Sequence, residues 1–182
     1  DKADPALLRE KAEALGLGRA VLCAKPIIGN QPFAVLLPDD LIWNRGPGAL
    51  KQMADLAETS GDSVIAVQDV PRDQTGSYGI VATRDFSGRH GEISAIVEKP
   101  KPEVAPSNLA VVGRYVLSGN IFGFLEKTKP GNGGEIQLTD GIAGLLRREK
   151  VFAYRYEGKR YDCGSKEGFL QANVELALAH PQ

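Results

Sequence analysis

Cysteine is scarce in this 182-residue chain, which has only Cys23 and Cys163. Two are too few for a disulfide framework or a four-thiolate zinc site, and a reducing cytoplasm is the expected compartment. A charge excess is missing as well. Lys plus Arg is 22 against 23 for Asp plus Glu, a net charge of -1, so no bulk positive field is available to hold nucleic acid or an anionic membrane. No apolar run nears the roughly 18 to 20 residues of a membrane span. The opening DKADPALLREK has no basic-then-apolar signal segment either. Histidine is limited to His90 and His180, both in polar surroundings, and neither is given a role.

What the chain does have is 42% hydrophobic and 25% charged residues, the balance of a soluble globular protein with one sizeable core. Glycine stands out at 21 of 182, against a usual share of about 7%. Apolar spacing predicts helices over Ala6–Leu15 and Arg19–Ile28. PFAVLLPDDLI, from Pro32 to Ile42, is a continuous apolar run ending in two acids, the pattern of a buried parallel strand that delivers carboxylates at its C-terminal edge. Pro47 opens a helix that Gly61 stops. SVIAVQDV is a second buried strand. SYGIVATRDF and EISAIVEKP flank SGRHG as an antiparallel hairpin, and AVVGRYVLS is a further strand. GNIFGFLEK starts a helix, EIQLTDGIAGLLRRE carries a helical stripe, Lys150–Tyr161 reads as a strand pair around Gly158, and Lys166–Ala179 closes as an amphipathic helix. This alternation predicts an α/β fold, a mixed and mainly parallel sheet covered by helices on both faces.

Several short patterns could carry chemistry. Asp39 and Asp40 follow a strand whose C-terminal edge is where open α/β sheets bind ligands. Neighbouring side chains on extended backbone point opposite ways, so only one of the two readily faces a given ligand. One carboxylate suffices to begin a Mg2+ site, because Mg2+ fills most of its octahedron with water and substrate phosphate. A solvated turn is the competing reading. Asp162, in RYDCGSKEG, also ends a strand and is otherwise an Asx-turn residue. In VEKP, Glu98 and Lys99 reach opposite directions on a strand. A carboxylate there can accept hydrogen bonds from a vicinal diol, and a lysine suits a phosphate. TGSYG and GNGGEIQLTD offer exposed backbone amides, or are ordinary turns. Cys163, Trp43 and Tyr115 read as packing residues.

Taken in order, GLGRAVLCAKP, PFAVLLPDDL, TGSYGIV, IVEKPKPEVAPSNLAVVGRYVLS, GGEIQLTDGI and RYDCGSKEGFLQA closely resemble the bacterial UTP–glucose-1-phosphate uridylyltransferases, from about Gly16 onward. The resemblance implies a Rossmann-like nucleotidyltransferase fold that joins UTP to glucose 1-phosphate and releases pyrophosphate. By the same likeness Asp39 is the principal Mg2+ ligand and Asp162 the second acid on that ion, with Asp40 nearby in the nucleotide site. Gly79 resembles the residue whose amide meets the sugar, Glu98 the acceptor for its hydroxyls and Lys99 the partner of its phosphate. Val111 and Glu135 match weaker sugar-pocket positions, and Gly16 a backbone contact to uracil. Asp39, Lys99 and Asp162 form the implied catalytic set. The family also implies a homo-oligomer, a dimer or tetramer.

Residues 1–15 contain no counterpart of the family's Gly-rich GxGTR loop, which holds the triphosphate. The expectation is therefore one nucleotidyltransferase domain over 1–182, incomplete at its N-terminus. Two alternatives stay open: a catalytically incompetent fragment that binds sugar nucleotide or oligomerises, and a thymidylyltransferase of the same superfamily.

Overall fold

A computed structural model of the protein describes residues 15–131 and 134–179. The helix expected over Ala6–Leu15 lies, through residue 14, outside the described residues. Leu17–Cys23 (α1) and Lys25–Ile28 (α2) are separate short helices where one was expected. Pro26, at the start of α2, has no N–H with which to continue the hydrogen-bond ladder of α1.

The run from Pro32 to Ile42 is likewise two strands, Phe33–Leu36 (β1) and Asp40–Trp43 (β2). Pro38 cannot donate to a ladder, and the Asp40 N–H turns back to the Leu37 carbonyl at 3.4 Å. β1 is not the expected buried parallel strand, because it pairs antiparallel with Leu109–Leu117 (β6) and leaves Leu36 half exposed. Ala49–Ser60 (α3) ends as its glycine predicts. Gly61 takes φ +76 and donates its N–H to the Ala57 carbonyl at 2.8 Å.

Next come Ser63–Asp69 (β3), a 3-10 turn over Arg72–Ser77, and the expected antiparallel hairpin of Gly79–Ser87 (β4) and His90–Glu98 (β5). Ile121–Leu125 (α4) and Leu138–Leu145 (α5) follow β6. The expected helix starting at Glu135 begins three residues later, since Glu135–Gln137 run without helical structure alongside Leu15–Gly18. Val151–Arg155 (β7), Lys159–Asp162 (β8) and Lys166–Ala179 (α6) complete the described chain.

The main sheet has the order β1-β6-β3-β7-β5-β4, and β4 also pairs back onto β6 at Ile80–Val81. It is a mixed sheet. Among the described residues its parallel pairing is β3 with β7, and the other pairings are antiparallel. Hairpin-like returns around β6 leave less parallel pairing than strict strand–helix alternation implies.

β3 explains the two covered faces. Val64 and Ala66 pack with Ala49 and Met53 of α3 on one side, while Ile65 and Val67 pack with Ile121 and Phe122 of α4 and Ile142 and Leu145 of α5 on the other. A strand buried on both faces reads as a continuous apolar run, as this one does. Fully buried Met53 contributes about 1.5–3 kcal/mol by leaving water.

β7 and β8 are not paired with each other around Gly158, as the sequence pattern suggested. β7 joins β3 and β5 in the main sheet, whereas β8 forms a two-stranded antiparallel ribbon with β2. The chain crosses between sheets at Gly158, φ +135, where a side chain would stand 2.8 Å from the Trp43 carbonyl. α6 also departs from expectation. It buries only Ala172 fully and leaves Phe169, Leu170, Val174 and Leu178 exposed, without a sharply two-faced pattern. Among the described residues no helix is long and apolar enough to cross a membrane.

Candidate active site

Asp39 sits in the turn between β1 and β2, and Asp162 is the last residue of β8. The ribbon register sets Asp40 opposite Asp162, and the Cys163 N–H donates to the Asp39 carbonyl at 2.7 Å. Both carboxylates are exposed and turn toward Gly164. A Cβ on that glycine would lie 3.1 Å from Asp39 Oδ2 and 3.2 Å from Asp162 Oδ1. Two acidic oxygens thus flank one small space that stays open because residue 164 has no side chain. The donor set suits a hard cation, for which Mg2+ with one or two carboxylates is the common case. Among the described residues no cluster of three His, Cys, Asp or Glu side chains is gathered for a metal, so phosphate and water would have to fill the remaining positions.

The segment after Asp162 is held by its own turn. Gly164 N–H donates to Asp162 Oδ1 at 3.2 Å, Ser165 Oγ donates to the Asp162 carbonyl at 3.0 Å, and Gly168 N–H donates to Ser165 Oγ at 3.0 Å. Ser165 is thereby the N-cap of α6.

Asp40 faces inward. Its Oδ2 accepts from the Gly113 N–H of β6 at 2.7 Å, and its Oδ1 from Arg160 Nε of β8. The pair is 9% and 12% exposed at the side chains. Burial pulls the Arg160 guanidinium toward neutrality, but hydrogen bonds with Asp40 and Tyr78 outweigh it and leave Arg160 more firmly protonated than usual. Arg160 also lies over the Tyr78 ring, 5.5 Å from its centroid. Both Asp40 oxygens being engaged, this residue fastens the ribbon to the main sheet.

Beside it is a cavity of about 240 Å3 whose wall includes Asp40, Gly79, Glu98, Val111, Glu135 and Thr139. Glu98 Oε2 accepts from Thr139 Oγ1 at 3.0 Å, and Glu135 Oε2 from Gln137 Nε2 at 3.1 Å. Gly79 makes room: a Cβ there would be 2.9 Å from Thr139 Cγ2, 3.3 Å from Glu98 Oε2 and 3.8 Å from Val111 Cβ. Burial, followed by the negative charges of Glu98 and Asp40, raises the hydroxyl pKa of Tyr115 on the same wall, so it stays protonated.

Lys99 lines an adjoining open cleft that shares Glu98 and Glu135. The expectation that Glu98 and Lys99 point opposite ways fails, because the strand ends at Glu98 and Lys99 adopts φ +43, a left-handed backbone costing on the order of 1 kcal/mol. Its N–H donates to the Tyr78 carbonyl at 3.0 Å, and its Nζ comes to 4.0 Å from Glu98 Oε1. Gly16, φ +87, is wedged beneath Glu135–Ile136, where a Cβ would be 2.7 Å from the Ile136 carbonyl.

A family model described as Nucleotidyl transferase matches residues 4–178. The chain belongs to that family. Its curated relatives include a UTP–glucose-1-phosphate uridylyltransferase of Staphylococcus epidermidis, 47% identical over 182 residues, which cover 100% of this chain and 62% of the relative. Among solved structures, a UDP-glucose pyrophosphorylase complexed with UDP-glucose superposes with TM-score 0.88 at 42% identity, covering 92% of this chain and 64% of that one. A UTP-bound UGPase from Acinetobacter baumannii gives TM-score 0.82 at 44% identity, covering 93% of this chain and 59% of that one. The chain thus spans about three fifths of the length of these proteins. The likeness reaches residue 1 in the S. epidermidis protein, beyond the Gly16 start that the motifs suggested.

Sequence reasoning missed Thr139 and Arg160 in this nucleotidyl transferase domain. Thr139 stands beside the quoted Glu135 but acts through Glu98, far away in sequence, and Arg160 finds Asp40 only through the ribbon register. No local signal announces either.

The ribbon's outer strand is held by α6. Glu175 accepts from Lys159 Nζ at 2.7 and 2.6 Å, from Tyr161 Oη at 2.8 Å and from Gln171 Nε2 at 2.8 Å. The Lys159 hydrogen bonds first, then Tyr161 and Gln171, hold its carboxyl down at about 2 from an ordinary 4.5. A lowered pKa means a contribution complete above the ordinary value and lost as pH falls toward the folded one. The stability difference between the wild type and Glu175→Gln, measured as urea midpoints, should therefore shrink as pH falls through 4.5 toward 2. A difference constant across that window rules the clamp out.

Proposed function

We propose that the protein transfers a uridylyl group from UTP to glucose 1-phosphate, giving UDP-glucose and pyrophosphate, and that residues 1–182 work as one nucleotidyltransferase domain in it. The observation that carries this reading is the meeting of Asp39 and Asp162 over Gly164, from distant parts of the described chain, while Asp40 and Arg160 of the same ribbon line a cavity containing Glu98 and Gly79. The names of relatives at 47% identity support the uridylyl branch over thymidylyl transfer.

Asp39 and Asp162 would hold a Mg2+ ion, which when bound supplies positive charge to the reacting phosphates. An oxygen of the sugar phosphate forms a bond to the α-phosphorus of UTP, the bond from that phosphorus to the bridging oxygen breaks, and pyrophosphate leaves with the electron pair. No covalent protein adduct is required. At about 4 Å and an effective dielectric near 20, each pair of like unit charges repels by roughly 4 kcal/mol. Lys99, exposed at the cleft mouth, offsets part of this at the sugar phosphate. Glu98 accepts from the sugar hydroxyls, the Gly79 amide meets the ring, Val111 and Glu135 line its flank, and the Gly16 backbone faces uracil. Asp40 stands behind the nucleotide as the fixed end of the ribbon.

The partners in this reading are small molecules and further copies of the same chain. A cytoplasmic location accords with free Cys23 and Cys163. The test is pyrophosphate release with glucose 1-phosphate and either UTP or dTTP. The expected kcat/KM ratio favours UTP by at least about tenfold, roughly the effect of one well-made contact. Equal rates would remove the uridylyl assignment, and UDP-glucose binding without any release would favour a binding module.

A further inference from the structure

Glu98, in the sugar-sized cavity, is held at one oxygen and leaves the other near a cation. Oε2 accepts from Thr139 Oγ1 at 3.0 Å, and Oε1 lies 4.0 Å from Lys99 Nζ. Thr139 is 7% exposed, the second residue of α5, and β-branched, so its side chain turns little. Its methyl occupies the volume that Gly79 leaves free, 2.9 Å from where a glycine Cβ would stand. Threonine thus serves twice at this point, the methyl filling against β4 and the hydroxyl gripping the carboxylate from β5. Serine would lack the first contact and valine the second.

We propose that Thr139 is the positioning residue that fixes the Glu98 carboxylate for a vicinal diol, and so sets the protein's preference for a sugar with its 2-hydroxyl in place. This rests on the reading of the cavity as the hexose site. A carboxylate has about four lone-pair positions. Thr139 takes one, which leaves enough on the two oxygens to accept from two adjacent hydroxyls. A glutamate already held needs no further side-chain ordering when the ligand arrives. Released from Thr139, Glu98 would swing toward Lys99 and present one oxygen where two are needed.

The test is calorimetric binding of UDP-glucose and UDP-2-deoxyglucose to the protein and its variants. Thr139→Val, which keeps the shape and removes the hydroxyl, should raise the Kd for UDP-glucose by about tenfold, the size of one hydrogen bond to a charged group. The Kd for UDP-2-deoxyglucose should move by less than about twofold, because that ligand never used the second contact. Thr139→Ser should recover most of the affinity. Thr139→Val combined with Glu98→Gln should bind UDP-glucose no more weakly than Glu98→Gln alone. If Thr139→Val does not fold, Thr139→Ala carries the same expectations. Equal weakening of both ligands, or losses that multiply in the double variant, would overturn the positioning role while leaving the sugar site standing. Failure of the wild type to bind UDP-glucose would overturn the site and this role together.

Discussion

Asp162→Ala should lower pyrophosphate release by about a thousandfold, since a metal's charge stabilisation is worth several kcal/mol and each 1.36 kcal/mol is a factor of ten. The fold should not notice. Asp162 is exposed, and its side chain makes one hydrogen bond among the described residues, a 3.2 Å bond from the Gly164 N–H in its own turn. Thermal unfolding should therefore shift by no more than about 0.5 kcal/mol. Asp39→Ala should behave the same way, because the Cys163 N–H grips its carbonyl and not its carboxylate. If the two acids share one ion, removing both costs scarcely more than removing either, as for groups that act as a unit. Glycerol-free kinetics over a Mg2+ titration would read this directly, with the midpoint rising in each single variant. Losses that multiply in the double variant, or turnover that survives Asp162→Ala, would exclude a shared cation.

That each acid follows or ends a strand was legible in the sequence, whereas their sharing of one ion was implied only by the family likeness. FAVLLPDD runs from apolar residues into a turn that carries acids, and YDCGS repeats that order of apolar residue, acid and turn. Gly79, Glu98, Val111 and Glu135 could be grouped only through family likeness, since they come from two strands of the hairpin, β6 and the approach to α5. The role of Asp40 could not be read at all. Its neighbour Asp39 has the same chemistry, and alternation says only that one faces in and the other out. The choice is made by Gly113 and Arg160, distant in sequence, which put a donor on each inward oxygen. The split of the PFAVLLPDDLI run was present in Pro38, whose missing N–H was outweighed by the unbroken apolar pattern around it. The partners of β7 and β8 were hidden for another reason: Gly158 marks a turn equally well whether the next strand returns or leaves for another sheet.

Asp40→Ala should destabilise the fold by about 3–5 kcal/mol, the cost of leaving one partner of a buried ion pair alone. Arg160, 12% exposed at its side chain, would lose its carboxylate, and the Gly113 N–H its acceptor. The Arg114 guanidinium would still donate to the Asp40 and Leu37 carbonyls, so the turn itself would persist while the ribbon loosens. Asp40→Asn keeps one acceptor and should fall between the wild type and Ala. Replacing the pair together, Asp40→Leu with Arg160→Met, removes the orphaned charge and should recover most of the loss in urea unfolding. Stability and chemistry would then separate. The apolar pair restores the fold without the Asp40–Gly113 bond that fixes where the ribbon begins, so Asp39 and Asp162 would be set around Gly164 less reproducibly, and turnover should stay depressed. A loss below about 1 kcal/mol for Asp40→Ala would mean that the ribbon is held by β2–β8 pairing and α6 instead.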